Sequence, residues 1–377
     1  MQRKSMAFLF CLQVFVLSAQ QIKYDDWKNL TTSGKLPAQI KLQHSNNNLD
    51  LVRFHEKYFL AFRTAPTHFA SKKTVMYVVS STDLENWNYE TEISMQCDLR
   101  EPRFAVYHDT LNLYFFSGGT NTFKFEPKEV LVCRKTEKDS FTKPQSIHLD
   151  GFVPWRLRER ADTLYLSSYY GKNLYKNSHH SNLRLFWSMN ALNWQPVSTE
   201  PQIDVLSAEE GEFIFDKQGN LFATVRLEGT GSFVCRADKN SLDKWQKVRS
   251  KTKYDSALLF EHQEDIYLVS RRNIDGEIDK VKHRKNEKQG RLNNLIRYSI
   301  TKKVTALFKL NKDSLTLTHL FDFPSNGDNA YAAIAPVDEH TFLLMNYSND
   351  IRHTKSSWIA GQLGKTYIYY TRLRFQP

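Results

Sequence analysis

Met76-Tyr-Val-Val-Ser-Ser-Thr-Asp83-Leu-Glu-Asn-Trp87 reads as a hydrophobic strand, a short polar turn and an aromatic. The same pattern returns in Leu183-Arg-Leu-Phe-Trp-Ser-Met-Asn190-Ala-Leu-Asn-Trp194 and in Phe233-Val-Cys-Arg-Ala-Asp238-Lys-Asn-Ser-Leu-Asp-Lys-Trp245, with a blunter copy at Val130–Phe141. The Asp or Asn can close the turn with its own side chain, and the following Trp or Phe can pack an outer hairpin. The spacing is about fifty residues, and a repeat of that length holding several strands marks a propeller. The competing reading is a set of unrelated hairpins that share turn chemistry.

Working outward, alternation and Gly, Asn and Asp punctuation place inner strands from about Leu49, Glu101, Phe152, Glu210, Asp255 and Asp328. Second strands follow at Tyr58–Arg63, Leu111–Ser117, Thr163–Tyr169, Asn220–Arg226, Asp265–Arg271 and Thr341–Tyr347. The expectation is an all-β, six-bladed β-propeller closed by strands from both termini. Thr366–Phe375 is its last strand, and Ala38–Gln43 supplies the outer strand of the same blade, which removes the exposed edge. A polar, basic stretch at about 273–303 breaks the period; it reads as a partly mobile solvated loop inserted in blade five.

The 377-residue chain is 41% hydrophobic and 13% aromatic, enough for a large core in one all-β domain spanning 20–377. Arg3 and Lys4, an apolar run from Met6 to Leu17, and Ser18-Ala19 read as a secretory signal over 1–19, with a retained anchor as the alternative. A secreted or periplasmic protein is expected, with no membrane span after cleavage. Cys97, Cys133 and Cys235 are too few and scattered for a disulfide framework. Cys133 and Cys235 occupy equivalent places in two repeats, as buried strand residues do. With no CxxC or HExxH, no metal or cofactor is expected. The net charge of +11 points to an acidic partner, and no nucleic-acid motif accompanies it. A monomer is expected.

The blade starts and second-strand ends resemble the sialidase (neuraminidase) superfamily of six-bladed propellers over roughly residues 45–375. Ser81-Thr-Asp83 through Trp87 and Ser188-Met-Asn190 through Trp194 look like degenerate Asp-box repeats that lack the usual Gly. Ser207-Ala-Glu-Glu210, then Gly219 and Arg226, is similar to the family's Glu, Gly turn and Arg. Further similar segments are Phe62-Arg63-Thr-Ala-Pro-Thr-His68, Asp98-Leu-Arg100-Glu101-Pro-Arg103, Pro154-Trp155-Arg156, Asp255 through Arg271, and Gly327-Asp328-Asn-Ala-Tyr331.

The resemblance implies a glycoside hydrolase acting on an acidic, sialic-acid-like sugar. Arg63, Arg226 and Arg271 would grip its carboxylate, because a guanidinium pairs with both carboxylate oxygens at once. Arg100, Arg156 and Asp328 complete the expected substrate-binding set. Tyr331 would be the nucleophile and Glu210 its base, since a neutral phenol is not repelled by an anionic substrate. Glu101 and His68 stand as acid/base candidates where the family has an Asp. Two alternatives stay open: a lyase on uronic-acid polysaccharide, and a glycan-binding propeller without catalysis.

Overall fold

The computed structural model describes residues 21–122, 124–138, 140–170, 180–277, 287–353 and 356–376. The expected signal at 1–19 lies outside the described residues. The chain forms six antiparallel sheets arranged as a β-propeller. Their inner strands are Ser45–Phe54, Asp98–Tyr107, Phe152–Arg160, Ala208–Phe215, Asp255–His262 and Asn329–Pro336. Each pairs with a second strand, and each second strand with a third, so the three innermost strands of every blade are neighbours in sequence. Six apolar clusters fill the gaps between adjacent blades, ending with one that joins blade six back to blade one. In that cluster Leu49, Leu60 and Val79 meet Ala333, Leu343 and Ile368. The core is therefore a closed ring of sheet-to-sheet contacts.

The repeated turns explain the outer edge. Asp83 accepts the backbone N–H groups of Glu85 and Asn86, and Asn190 those of Leu192 and Asn193. Leu84 (φ 64°) and Ala191 (φ 61°) take the left-handed backbone for which a glycine would be free. Trp87, Trp194 and Trp245 are buried behind these turns. Cys133 and Cys235 are buried on the third strands of blades two and four; with Cys97 they are unpaired.

Two expectations are corrected. Both termini do build blade six, but Ala38–Gln43 is turn and loop. The outer strand is Gln21–Tyr24, antiparallel to Tyr367–Gln376, with Lys28–Asn29 continuing beside Tyr369 and Tyr370. Ala38–Gln43 instead runs past blade one, where Gln43 N–H donates to Thr64 Oγ1 and Ile40 joins the core. The insertion is also not all loop: Glu287–Ile300 is a helix, α1. A second helix, α2, spans Trp358–Leu363, capped by Ser357. The two are joined by a Lys302–Ser357 bridge and by Trp358 N–H donating to Thr301 O at 3.0 Å. The basic residues Lys280, Lys282, Arg284 and Lys285 lie outside the described residues.

Candidate active site

All six inner strands carry a β-bulge at the same level, around Asn48, Glu101, Trp155, Glu210, Ser256 and Tyr331. Five of these residues have left-handed backbone: Asn48 (44°), Glu101 (54°), Glu210 (49°), Ser256 (50°) and Tyr331 (49°). Such backbone is unfavourable for a residue with a Cβ, and bulges turn side chains out of the strand's alternation. Three of the six, Glu101, Glu210 and Tyr331, line a central cavity of about 490 Å³. The others hold them. Asn48 Nδ2 donates to Glu101 Oε1 at 3.0 Å, the Ser256 N–H donates to Glu210 Oε2 at 2.7 Å, and the Trp155 ring packs 5.5 Å from that of Tyr331.

Tyr331 Oη donates to Glu101 Oε1 at 3.0 Å. Burial first, then the charges of Glu101 and Glu210, push the phenol well above its usual value, so it ionises only if a base takes its proton. Burial raises Glu101 as well, against the opposing effects of Arg103, Tyr331, Arg100 and Asn48, which makes it a stronger base. Glu210 makes no hydrogen bond to Tyr331. Its Oε1 lies 2.6 Å from Arg226, and burial pushes its pKa up to about 7.

The arginines divide into two kinds. Arg226 is enclosed by Glu209, Glu210, Glu228 and Asp255. Arg63 does not line the cavity: it is fully buried, with Nε and Nη2 on Asp98 Oδ1, Nη1 on Asn47 and Nη2 on the Phe69 carbonyl. Arg156 is likewise buried away from the cavity, between Glu212 (2.7 Å) and Asp50 (3.3 Å). Breaking such a buried pair leaves one charge uncompensated, about 3–5 kcal/mol, so Arg63 and Arg156 are accounted for by the fold.

Arg100 and Arg271 differ. Arg100 uses Nε on Asp98 (2.5 Å) and Nη2 on the His68 carbonyl. Arg271 uses Nε on Tyr298 Oη and Nη1 on the Asn329 carbonyl, both at 3.0 Å, and lies 5.1 Å over the Trp358 ring. Arg100 Nη1 and Arg271 Nη2 have no hydrogen-bond partner among the described residues, and both side chains line the cavity. His68 is on the wall too, its Nδ1 2.7 Å from Asp328 Oδ2. Asp328 is buried behind it, also bonded to Tyr347 Oη, and although burial opposes ionisation, His68 and Arg271 hold it below the usual carboxylate range.

Sequence reasoning therefore brings Tyr331, Glu210, Glu101, His68, Arg100, Arg226 and Arg271 to one cavity; Arg63, Arg156 and Asp328 stand behind or beside it. It missed the bulges, whose signal was a polar or aromatic residue near the start of each inner strand. It missed Tyr298 as well. This α1 residue donates to Asp255 and accepts from Arg271, and its ring lies 3.7 Å from Lys253 Nζ and 3.9 Å from Lys303 Nζ. The helical spacing of Leu292, Leu295, Ile296 and Ile300 could have found it. Among the described residues no cluster of His, Cys, Asp or Glu is placed to hold a metal ion.

No family profile matches the chain, and no curated protein matches its sequence. Solved structures share its shape. A protein of unknown function from Dyadobacter fermentans superposes with TM-score 0.65 at 13% identity, over 94% of this chain and 99% of the other. A Trypanosoma rangeli sialidase in complex with sialic acid gives TM-score 0.62 at 11% identity, over 87% of this chain. A Hadza microbial sialidase gives 0.56 at 12%, over 88%. The chain spans 54% of that trypanosomal sialidase and 66% of the microbial one. At these identities the likeness establishes the six-bladed fold.

Proposed function

We propose that this cavity hydrolyses the glycosidic bond of an acidic, sialic-acid-like sugar, and that the protein does so outside the cytoplasm as a secreted or periplasmic enzyme. The carrying observation is the Tyr331–Glu101 hydrogen bond inside a cavity where Arg100 and Arg271 each keep one nitrogen unengaged. The likeness to sialidases, one of them holding sialic acid, supports a carbohydrate substrate. Arg100 and Arg271 form the carboxylate clamp. Arg226, already neutralised by its carboxylates, positions Glu210 and keeps the floor of the cavity rigid.

In the first step Tyr331 Oη attacks the anomeric carbon and passes its proton to Glu101 while the bond to the leaving oxygen breaks. His68, held by Asp328, gives that oxygen its proton from Nε2. In the second step water attacks the same carbon, His68 recovers a proton from it, and the Tyr331 oxygen leaves and takes its proton back from Glu101. This places Glu101 in the role that sequence reasoning gave to Glu210, because the hydrogen bond runs to Glu101.

A panel of fluorogenic glycosides of acidic and neutral sugars tests the reading. Turnover confined to acidic sugars is expected, and Tyr331→Phe should lower kcat by about a thousandfold with ligand affinity nearly unchanged. His68→Asn should slow alkyl glycosides far more than aryl ones, whose leaving group needs no proton. An unsaturated product absorbing in the near ultraviolet would replace hydrolysis with elimination, and near-normal activity in Tyr331→Phe would remove the nucleophile.

A further inference from the structure

α1 and α2 have two faces each. Leu295 and Ser299 of α1 and Trp358 and Gln362 of α2 line the cavity. Leu292, Ile296 and Ile300, spaced four apart on α1, are exposed to 46%, 53% and 63%; Ile359 and Leu363, four apart on α2, to 47% and 65%. These five aliphatic side chains sit on two helices tied together at the cavity rim. They are half of the large apolar residues exposed among the described residues.

Cations bracket this face. Lys302 follows α1, Arg352 and His353 precede α2, and Lys365 follows it, all four exposed. Two acidic residues also stand here: Asp350, paired with Arg352 at 2.7 Å, and Glu287, the first residue of α1. In sequence, Lys280, Lys282, Arg284 and Lys285 precede α1 and Lys288 lies in its first turn, within a chain of net charge +11. Exposed aliphatic residues on short helices flanked by basic residues are the signature of a segment that lies in a membrane interface. A protein partner is the poorer fit, because protein hot spots favour Trp, Tyr and Arg at the centre over aliphatic residues.

We propose that the α1–α2 face docks peripherally on an anionic lipid surface, with Leu292, Ile296, Ile300, Ile359 and Leu363 entering the headgroup boundary. Docking sets the cavity mouth against the bilayer, where a lipid-linked acidic sugar would be presented. The lipid-linked sugar rests on the function proposed above, whereas docking itself is read by binding alone.

Cosedimentation of the purified protein with phosphatidylcholine vesicles, with and without phosphatidylglycerol, tests it. Binding to the anionic vesicles is expected, weaker by about tenfold or more on pure phosphatidylcholine and at high salt. The triple variant Ile296→Ser, Ile300→Ser, Leu363→Ser should lose binding by a similar factor and keep the parent's melting temperature, since all three side chains are exposed. Absence of binding by the parent, or equal binding by the variant, overturns the proposal. So does a dimer in sedimentation equilibrium that the variant dissolves, which would assign the face to a second copy.

Discussion

Glu210 shows how a single buried carboxylate couples this site to stability. Its pKa rises from 4.5 to about 7 because burial penalises the charge more than Arg226 and the Ser256 N–H offset it. Between those values the folded chain binds more protons at this group than the unfolded chain does, so its contribution to stability falls as pH rises from about 4.5 to 7. Denaturant unfolding at stepped pH should show this slope, and Glu210→Gln should flatten it. An unchanged slope in the variant would mean that other groups carry the dependence. At this scale the sequence picked out Tyr331, Glu101 and His68, which the fold does bring to one cavity. It was misleading for Arg63 and Arg156. A guanidinium at a second-strand end or on an inner strand reads alike whether it meets the cavity or a buried Asp98 or Glu212, and only packing separates them.

At the scale of elements, the bulges do what regular strands cannot, turning Glu101, Glu210 and Tyr331 to the axis while Asn48, Trp155 and Ser256 brace them. Ser256 combines a left-handed backbone with a buried hydroxyl that lacks a hydrogen-bond partner. Ser256→Gly removes both, and keeps the backbone N–H on Glu210. Relief of the left-handed strain, about 1–2 kcal/mol, exceeds the roughly 0.5–1 kcal/mol entropic cost of glycine, so the variant should be more stable by up to about 1 kcal/mol in chemical denaturation. A loss of stability would show that the hydroxyl is engaged. Strand order was legible because alternation and turn residues are local signals. α1 was legible only as a weak helical spacing, because its apolar residues are diluted by Asn, Arg and Lys, and its Tyr298 is buried through Asp255, Arg271, Lys253 and Lys303 on other elements.

At the scale of the whole molecule, the ring holds because its first described strand is sewn to its last. Ile22 and Trp27 pack on the cluster between blades five and six, and Asp25 pairs with Arg374 at 2.9 Å. Removing residues through Asn29 strips the outer strand from Tyr367–Gln376 and leaves a bare sheet edge. Such a truncation should melt several degrees lower and aggregate on heating, by differential scanning calorimetry and light scattering; an unshifted transition would show that closure does not need this strand. That both ends of the chain share one blade was readable from the repeat count, but which N-terminal segment did so was not. Gln21–Tyr24 and Ala38–Gln43 are both short and mixed, and the choice rests on pairing with a strand some 350 residues away. A tyrosine nucleophile acting on an acidic sugar at the axis of this ring can be caught by trapping. Incubation with a 2,3-difluoro acidic sugar followed by peptide mass mapping should place one glycosyl adduct on Tyr331, absent in Tyr331→Phe. A chain that hydrolyses the matching glycoside yet yields no adduct, or carries it on Glu101 or Glu210, would contradict the account.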